Sequence, residues 1–140
     1  MLHLIFWLLN NVAITGLTRT HGITYSVSDG VMILTDVAST PSAIDGGLII
    51  IKNFASVFTS TATAGTIALI NQIRIYGNNS LLGNPVDVAY DSVTKNIYVA
   101  ERLNAGGQVL TYSYPTTSGD VAPINVRAEA GVTSIFVLRK

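Results

Sequence analysis

The sequence contains no cysteine, which excludes disulfide scaffolds and thiolate metal sites and leaves the cellular compartment open. Charged residues are also scarce, at 11% of the chain, and eight Lys and Arg balance eight Asp and Glu. No run of basic residues is present, so we expect no nucleic-acid partner. Because 49% of the residues are hydrophobic, the composition argues against disorder. It suits a β protein whose sheets are covered on both faces.

The chain also lacks the common catalytic motifs. There is no H-E-x-x-H, no phosphate-binding loop, no Rossmann glycine pattern and no G-x-S-x-G. Only two histidines, His3 and His21, are present, which excludes a histidine-rich metal site within one chain. A calcium loop is missing as well, since residues 26–30 hold one carboxylate and predict a turn. We therefore expect no enzyme activity, no metal and no cofactor.

Long hydrophobic runs are missing too. Residues 2–9 form an apolar block with one histidine, far short of the roughly 20 residues that span a membrane. A signal peptide has a basic residue before its apolar core and small residues at its cleavage site, and this sequence has neither. Two interpretations stay open: a buried strand or ragged fragment end, which we favour, and a degraded signal peptide.

The clearest positive signal lies at residues 84–102, which read NPVDVAYDSVTKNIYVAER. Two runs rich in β-branched and aromatic residues, 86–90 and 97–100, flank a polar turn at 91–96. Short β-rich runs bounded by turn residues predict a β-hairpin. The same reasoning predicts strands at residues 12–15, 21–25, 31–35, 48–54, 72–76 and 132–138, an Asp-Gly turn at 28–30, and loops at 37–47 and 59–65.

A weaker copy of this hairpin lies earlier in the chain. Equivalent positions match chemically along both of its strands, as Ile23/Val88, Tyr25/Tyr90, Met32/Ile97, Leu34/Val99 and Asp36/Glu101. Two later segments align in the same order, separated by loops of different length, which predicts two units of four strands each. The aligned segments are 20–37 on 85–102 at an offset of 65, 46–49 on 106–109 at 60, and 63–71 on 117–125 at 54.

Four-stranded antiparallel units at a spacing of roughly 40 to 65 residues are typical of β-propeller blades. The inner strands are apolar on both faces, as expected for a blade packed between two neighbours. The sequence therefore predicts an all-β, incomplete β-propeller. Its expected parts are an apolar leader with a strand of a preceding blade (1–19), a first blade (20–83), a second blade (84–130) and the first strand of a further blade (131–140).

Residues 84–102 also resemble NHL- or YVTN-type propeller repeats, through the Pro-x-x-Val-Ala-Tyr-Asp opening and the Ile-Tyr-Val-Ala ending. The downstream GDVAPINVRAEAG is similar to the linker and outer strand of bacterial secreted propellers. The resemblance covers residues 20–140, loosely in the first unit. It departs at His21-Gly22, where the Pro-x-Asp of the second unit is missing, and in the loop at 37–45.

This resemblance implies a binding or structural module of a secreted or cell-envelope protein, with an unknown ligand. Such propellers have six or so blades and this chain has about two. It implies either missing blades of the same protein or self-association into a ring. The alternative is a fragment of a six-bladed, metal-dependent propeller enzyme of the lactonase or lyase kind.

Four polar residues are candidates for specific roles. Asp87, one residue into an innermost strand, and His21, beside the equivalent Gly22, are expected to face the central channel and line a binding surface. The alternative for both is a strand-end side chain hydrogen-bonded to nearby backbone. Asp36 and Glu101 recur at the ends of equivalent strands, where a carboxylate accepts hydrogen bonds from the following turn. We expect both to be structural turn carboxylates, and we expect Tyr25 and Tyr90 to lie in the core.

Overall fold

Two four-stranded antiparallel sheets form the framework of the fold. The structure is a computed structural model and describes residues 11–38 and 42–139. Its strands are β1 (Ala13–Ile14), β2 (Ile23–Ser26), β3 (Val31–Asp36), β4 (Gly47–Ile51), β5 (Thr66–Ile67), β6 (Ile73–Tyr76), β7 (Pro85–Asp91), β8 (Asn96–Glu101), β9 (Gln108–Ser113) and β10 (Asn125–Ala128). The first sheet has the order β2-β3-β4-β6, the second β7-β8-β9-β10, and β1 pairs in parallel with β5.

The prediction of an antiparallel β protein built from four-stranded sheets is confirmed. Within the described ranges the two sheets do not belong to a closed ring of sheets. The apolar block at residues 2–9, including His3, lies outside the described residues. The expected strand at 132–138 is not observed, because this segment has no hydrogen-bonded strand partner among the described residues.

The central hairpin forms where the sequence pattern predicts it, and its turn is stabilised locally. The Asp91 carboxylate accepts hydrogen bonds from the Val93 N–H at 3.0 Å and from the Thr94 hydroxyl at 2.7 Å. Lys95 takes a positive φ of 58°, which aligns the chain for the return strand. In the β2–β3 hairpin the corresponding left-handed position is Gly30, the second residue of the Asp-Gly pair.

One hydrophobic core lies between the two sheets. The contributing side chains alternate along each strand, as expected when one face of a sheet is buried. The first sheet contributes Val31, Ile33, Leu48, Ile50 and Ile75, and the second contributes Val88, Ile97, Val99, Leu110 and Tyr112. Fully burying an aliphatic side chain of this kind contributes roughly 2 kcal/mol, so this contact holds the sheets together.

A helix covers the opposite face of the first sheet. Its first residue belongs to a predicted strand and its last residues to a predicted loop. The expected strand at 48–54 ends at Ile51, and residues Phe54–Ser60 form helix α1. Asn53, with a left-handed φ of 48°, redirects the chain between them. Phe54 and Val57 then pack on a second cluster with residues 12–17. The strand prediction was wrong at Phe54 because a continuous apolar run does not distinguish a strand from a helix.

The pairing of strands corrects the alignment of the two sheets. Leu48 lies opposite Thr35, and Val109 lies opposite Ala100, so the third strands correspond at an offset of 61 (Leu48 to Val109) and not 60. By the same comparison the fourth strands correspond at 52 (Ile75 to Arg127) and not 54. In the third strand the error of one residue exchanges the two faces of the strand, whereas in the fourth strand the error of two residues keeps the faces and shifts the pairing along the strand.

Tyr25 and Tyr90 do not share the buried position expected for both. Tyr90 is partly buried against the core between the sheets, whereas Tyr25 is 42% exposed. Tyr25 lies on β2, at the edge of the first sheet, with its ring 5.9 Å from the Phe54 ring. β7, which carries Tyr90, is an edge strand too, so the difference arises because Tyr90 packs against the core between the sheets and Tyr25 does not.

Candidate functional site

Glu101, at the end of β8, has a fully buried side chain whose oxygens bind backbone amides. The N–H groups of Gly83 and Asn84, which enter β7, donate at 3.0 and 2.9 Å. The N–H groups of Leu103 and Asn104, in the following turn, donate at 2.8 and 2.9 Å. One carboxylate thus holds the entry to the first strand of the sheet and the exit from the second.

Asp36, at the end of β3, makes a closely similar set of contacts. Its oxygens accept hydrogen bonds at 3.0 Å from the N–H groups of Thr18, Arg19 and Ala38. The Tyr76 hydroxyl donates the fourth, also at 3.0 Å. Three of the four donors to each carboxylate occupy positions 65 residues apart: Thr18/Gly83, Arg19/Asn84 and Ala38/Leu103. These contacts occupy both carboxylates with backbone and hydroxyl donors of their own sheets.

His21 and Asp87 lie close to the edge where the two sheets meet. His21 is exposed, and a Cβ atom on the next residue, Gly22, would lie 2.6 Å from the Asp87 Cα atom. The half-buried Asp87 side chain accepts 2.9 Å hydrogen bonds from the N–H groups of Val88 and Ile135. The fold thus brings residues 21–22 close to Asp87, and each oxygen of the Asp87 carboxylate accepts a hydrogen bond from a backbone N–H group. A role at a ligand-binding surface stays a prediction.

A cavity of about 470 Å³ lies between the sheets, at the end where the hairpins turn. Asp29, from the β2–β3 turn, forms an ion pair with Lys95 from the β7–β8 turn, with 2.6 Å between Oδ2 and Nζ. The Tyr90 hydroxyl donates a 2.7 Å hydrogen bond to the same Asp29 oxygen. We refer to this space as the inter-sheet cavity. It is lined by Asp29, Val31, Lys52, Asn53, Tyr90, Lys95 and Tyr114.

Hydrogen bonds reinforce the ordinary charge states of Asp29 and Tyr90 at the inter-sheet cavity. The hydrogen bonds from Lys95 and then Tyr90 lower the pKa of Asp29, because both stabilise its ionised form. Burial, followed by the hydrogen bond to Asp29, raises the pKa of Tyr90. At neutral pH the Asp29 carboxylate is therefore ionised and the Tyr90 phenol neutral, and Lys52 and Lys95 are the basic side chains that line the cavity.

Sequence reasoning missed this cavity. The sequence pattern predicts that Asp29 belongs to a tight turn and that Tyr90 lies in the hydrophobic core. The lining residues come from four separate stretches of the chain, and no motif spacing relates them. Hairpin turns at the same end of two packed sheets were the single available signal, because they bring residues 29 and 95 to one place.

A second cavity, of about 650 Å³, lies on the face of the second sheet that is turned away from the first. Tyr98, Thr111 and Arg127 form its floor, and the C-terminal segment, including Phe136, forms its other wall. Arg127 is ion-paired with Glu129 at 2.9 Å, and both side chains are largely exposed.

The described part of the chain holds no group of three or more His, Asp or Glu side chains arranged for a metal ion. In the same residues, the structure has no helix of the length and apolarity needed to cross a membrane.

No protein-family model, curated protein or solved structure matches this chain. The similarity to NHL and YVTN repeats therefore remains a prediction that depends on the residues quoted above.

Proposed function

We propose that the two sheets are consecutive blades of an NHL/YVTN-like β-propeller, and that the chain is a binding or structural module of a secreted or cell-envelope protein. The observation that carries this proposal is the position of residues 132–139. They lie against the second sheet much as β7 lies against the first.

The two sheets contact each other through their innermost strands, β2 and β7. Gly22 on the first sheet's side allows the β7 backbone at Asp87 to approach closely. Propeller blades pack face to face around a central channel, with innermost strands adjacent. The strand order is the same in both sheets, and three of the four donors to each carboxylate occupy equivalent positions, which supports treating the sheets as two copies of one unit.

The C-terminal segment is held against β7 by two hydrogen bonds. The Ile135 N–H donates to the Asp87 carboxylate, and the Arg139 guanidinium donates to the Asp91 carboxylate. The two residues of each pair are 48 positions apart. The segment therefore runs in the same direction as β7. Asp87 is equivalent to Gly22 at the offset of 65, so the same position in each sheet contacts the chain that follows. This placement supports a further blade beginning at residues 132–139.

The outer faces of the two sheets differ. In the first sheet, α1 and residues 12–17 cover the outer face. The outer face of the second sheet has the C-terminal segment beside it, in which Phe136 and Leu138 are 79% and 72% exposed. We therefore propose that missing blades, or copies of this chain, bind at the second sheet, and no longer expect a ring that needs both faces.

Size-exclusion chromatography with light scattering tests this proposal on the full chain. We expect species larger than 14.8 kDa, because exposed apolar side chains near an unpaired sheet face favour association. The double variant Phe136→Ser/Leu138→Ser should shift the distribution toward monomer. Val27→Ser/Val93→Ser removes two other exposed apolar side chains, which lie in hairpin turns, and should leave it unchanged.

A monodisperse 14.8 kDa protein with a cooperative melt would contradict the proposal, because the chain would then close its own core. If larger species form, negative-stain electron microscopy distinguishes their organisation. Discrete particles of uniform size support the addition of blades or copies at the second sheet, whereas irregular aggregates that persist in the Phe136→Ser/Leu138→Ser variant count against the second sheet as the binding face.

A further inference from the structure

The inter-sheet cavity has the features of a small-molecule site. Its volume of about 470 Å³ falls within the range of roughly 300 to 1,000 Å³ that is usual for ligand pockets. Val31 and the rings of Tyr90 and Tyr114 supply apolar and aromatic walls, with the two ring centroids 5.8 Å apart. Pockets of this kind bind apolar ligands that carry a few polar groups.

The charges around the cavity favour an anion. Asp29 is already compensated, since Lys95 lies 2.6 Å away and the Tyr90 hydroxyl donates to the same oxygen. Lys52 forms no ion pair with any described carboxylate. One carboxylate and two ammonium groups leave a net charge of +1, located at Lys52.

Tyr114 provides a second reason to expect an acceptor here. Its hydroxyl oxygen is buried and has no hydrogen-bond partner among the described residues. A buried hydroxyl without a partner is destabilising, so a nearby acceptor oxygen would be favourable. Lys52 lies over the same ring, with its Nζ atom 5.7 Å from the ring centroid, so the cation and the unpaired hydroxyl belong to one residue pair.

We propose that the inter-sheet cavity binds a small aromatic carboxylate, with its ring packed against the Tyr90–Tyr114 pair and its carboxylate at Lys52. Lys52 is exposed, and the carboxylate supplies an acceptor for the Tyr114 hydroxyl. The site is formed within a single chain. It therefore goes beyond the propeller proposal and does not depend on further blades.

Benzoate is the probe, titrated into the full chain by isothermal calorimetry. We expect saturable binding of one benzoate per chain. Benzamide has the same ring without the charge, and acetate has the charge without the ring. Each should bind about tenfold more weakly or worse, because a charge-assisted hydrogen bond and aromatic burial are each worth at least that factor.

Three variants locate the site. Lys52→Met removes the cation and retains the apolar stem, and it should weaken benzoate binding about tenfold or more. Arg102→Met removes an exposed cation at the opposite end of the second sheet and should leave the affinity unchanged. Lys52→Gln provides a second, more soluble replacement, and thermal melts establish that each variant is folded.

Saturation-transfer NMR on benzoate gives an independent readout that tolerates large assemblies. Absence of both binding heat and saturation transfer would overturn the proposal. So would equal affinity of the folded Lys52→Met and Lys52→Gln variants, or equal binding of benzamide. A failed propeller proposal is distinguished from these results, because it appears in the particle mass and not in benzoate affinity.

Discussion

At the scale of single residues, Glu101 and Asp36 are the clearest case of one side chain organising many backbone groups. Glu101 is fully buried and accepts hydrogen bonds from four N–H groups. The sequence pattern predicts Glu101 as an acceptor for the following turn alone, and one such side-chain hydrogen bond is worth about 1 kcal/mol. The structure shows that it also binds the segment entering β7, 17 and 18 residues earlier.

Glu101→Ala should therefore lower the free energy of unfolding by about 3 kcal/mol, because several buried N–H groups lose their acceptor. Chemical denaturation measures this change. Glu129→Ala makes the same substitution in an exposed ion pair and should cost under about 0.5 kcal/mol. Equal losses in the two variants would show that the Glu101 contacts do not stabilise the fold.

Asp91 predicts a dependence of stability on pH. Hydrogen bonds from Arg139, and then from Thr94, lower the pKa of Asp91 in the folded chain. A lowered folded-state pKa means that the stabilisation is complete above the unfolded value of about 4 and is lost as pH falls below it. Asp91→Asn should therefore differ most from the parent chain at neutral pH.

Denaturation curves between pH 7 and pH 2 follow this difference, which should shrink steadily on the acid side. Arg139→Gln serves as the partner variant and should weaken the same pH dependence. A gap between parent and Asp91→Asn that stays constant across the range would mean that the ionised carboxylate contributes nothing.

At the scale of elements, the approach of β2 to β7 decides how the sheets fit together. Gly22 has no side chain, and the Asp87 backbone occupies the space that one would need. The two hairpins could be predicted from their turn residues. Their mutual approach could not, because the residues that touch are 65 positions apart.

Gly22→Ala should destabilise the chain by about 2 kcal/mol, since the new Cβ atom would lie 2.6 Å from backbone that cannot move alone. Gly30→Ala is the matched control. Its Cβ would have one neighbour, at 3.9 Å, so the cost there is the positive φ, about 1 kcal/mol. A smaller loss at Gly22 than at Gly30 would mean that the sheets separate easily.

At the scale of the whole molecule, the two outer faces differ. The first sheet is closed by α1 and residues 12–17, and the second has the C-terminal segment beside a cavity of about 650 Å³. This asymmetry supports the proposal that further blades, or copies of this chain, bind at the second sheet and not at the first.

The proposal of a binding or structural module also predicts the metal content of the purified chain. We expect no stoichiometric metal by elemental analysis, and a melting temperature that EDTA does not change. Stoichiometric metal, together with a lower melting temperature after chelation, would instead support the alternative of a metal-dependent propeller enzyme. A chain melted in the presence of added calcium serves as the comparison for nonspecific ion effects.

The sequence by itself determined most of the strands, the two hairpins and the grouping of strands into fours, because alternation and turn chemistry are local properties. It also placed Asp36 and Glu101 at equivalent strand ends. Only the tertiary structure decided that residues 54–60 form a helix. Their apolar side chains are compatible with either element until a sheet face is there to be covered.

The tertiary structure also decided the register of the third and fourth strands, the eight donors bound by two carboxylates, and the inter-sheet cavity. Each depends on contacts between residues distant in sequence, such as the Asp29–Lys95 ion pair, which spans 66 positions. The alternation of apolar and polar residues along a strand is compatible with every register that is shifted by an even number of residues, because such a shift leaves the same side chains on the buried face. The packing of one sheet on the other selects among them, because only one arrangement buries both apolar faces and pairs the polar groups.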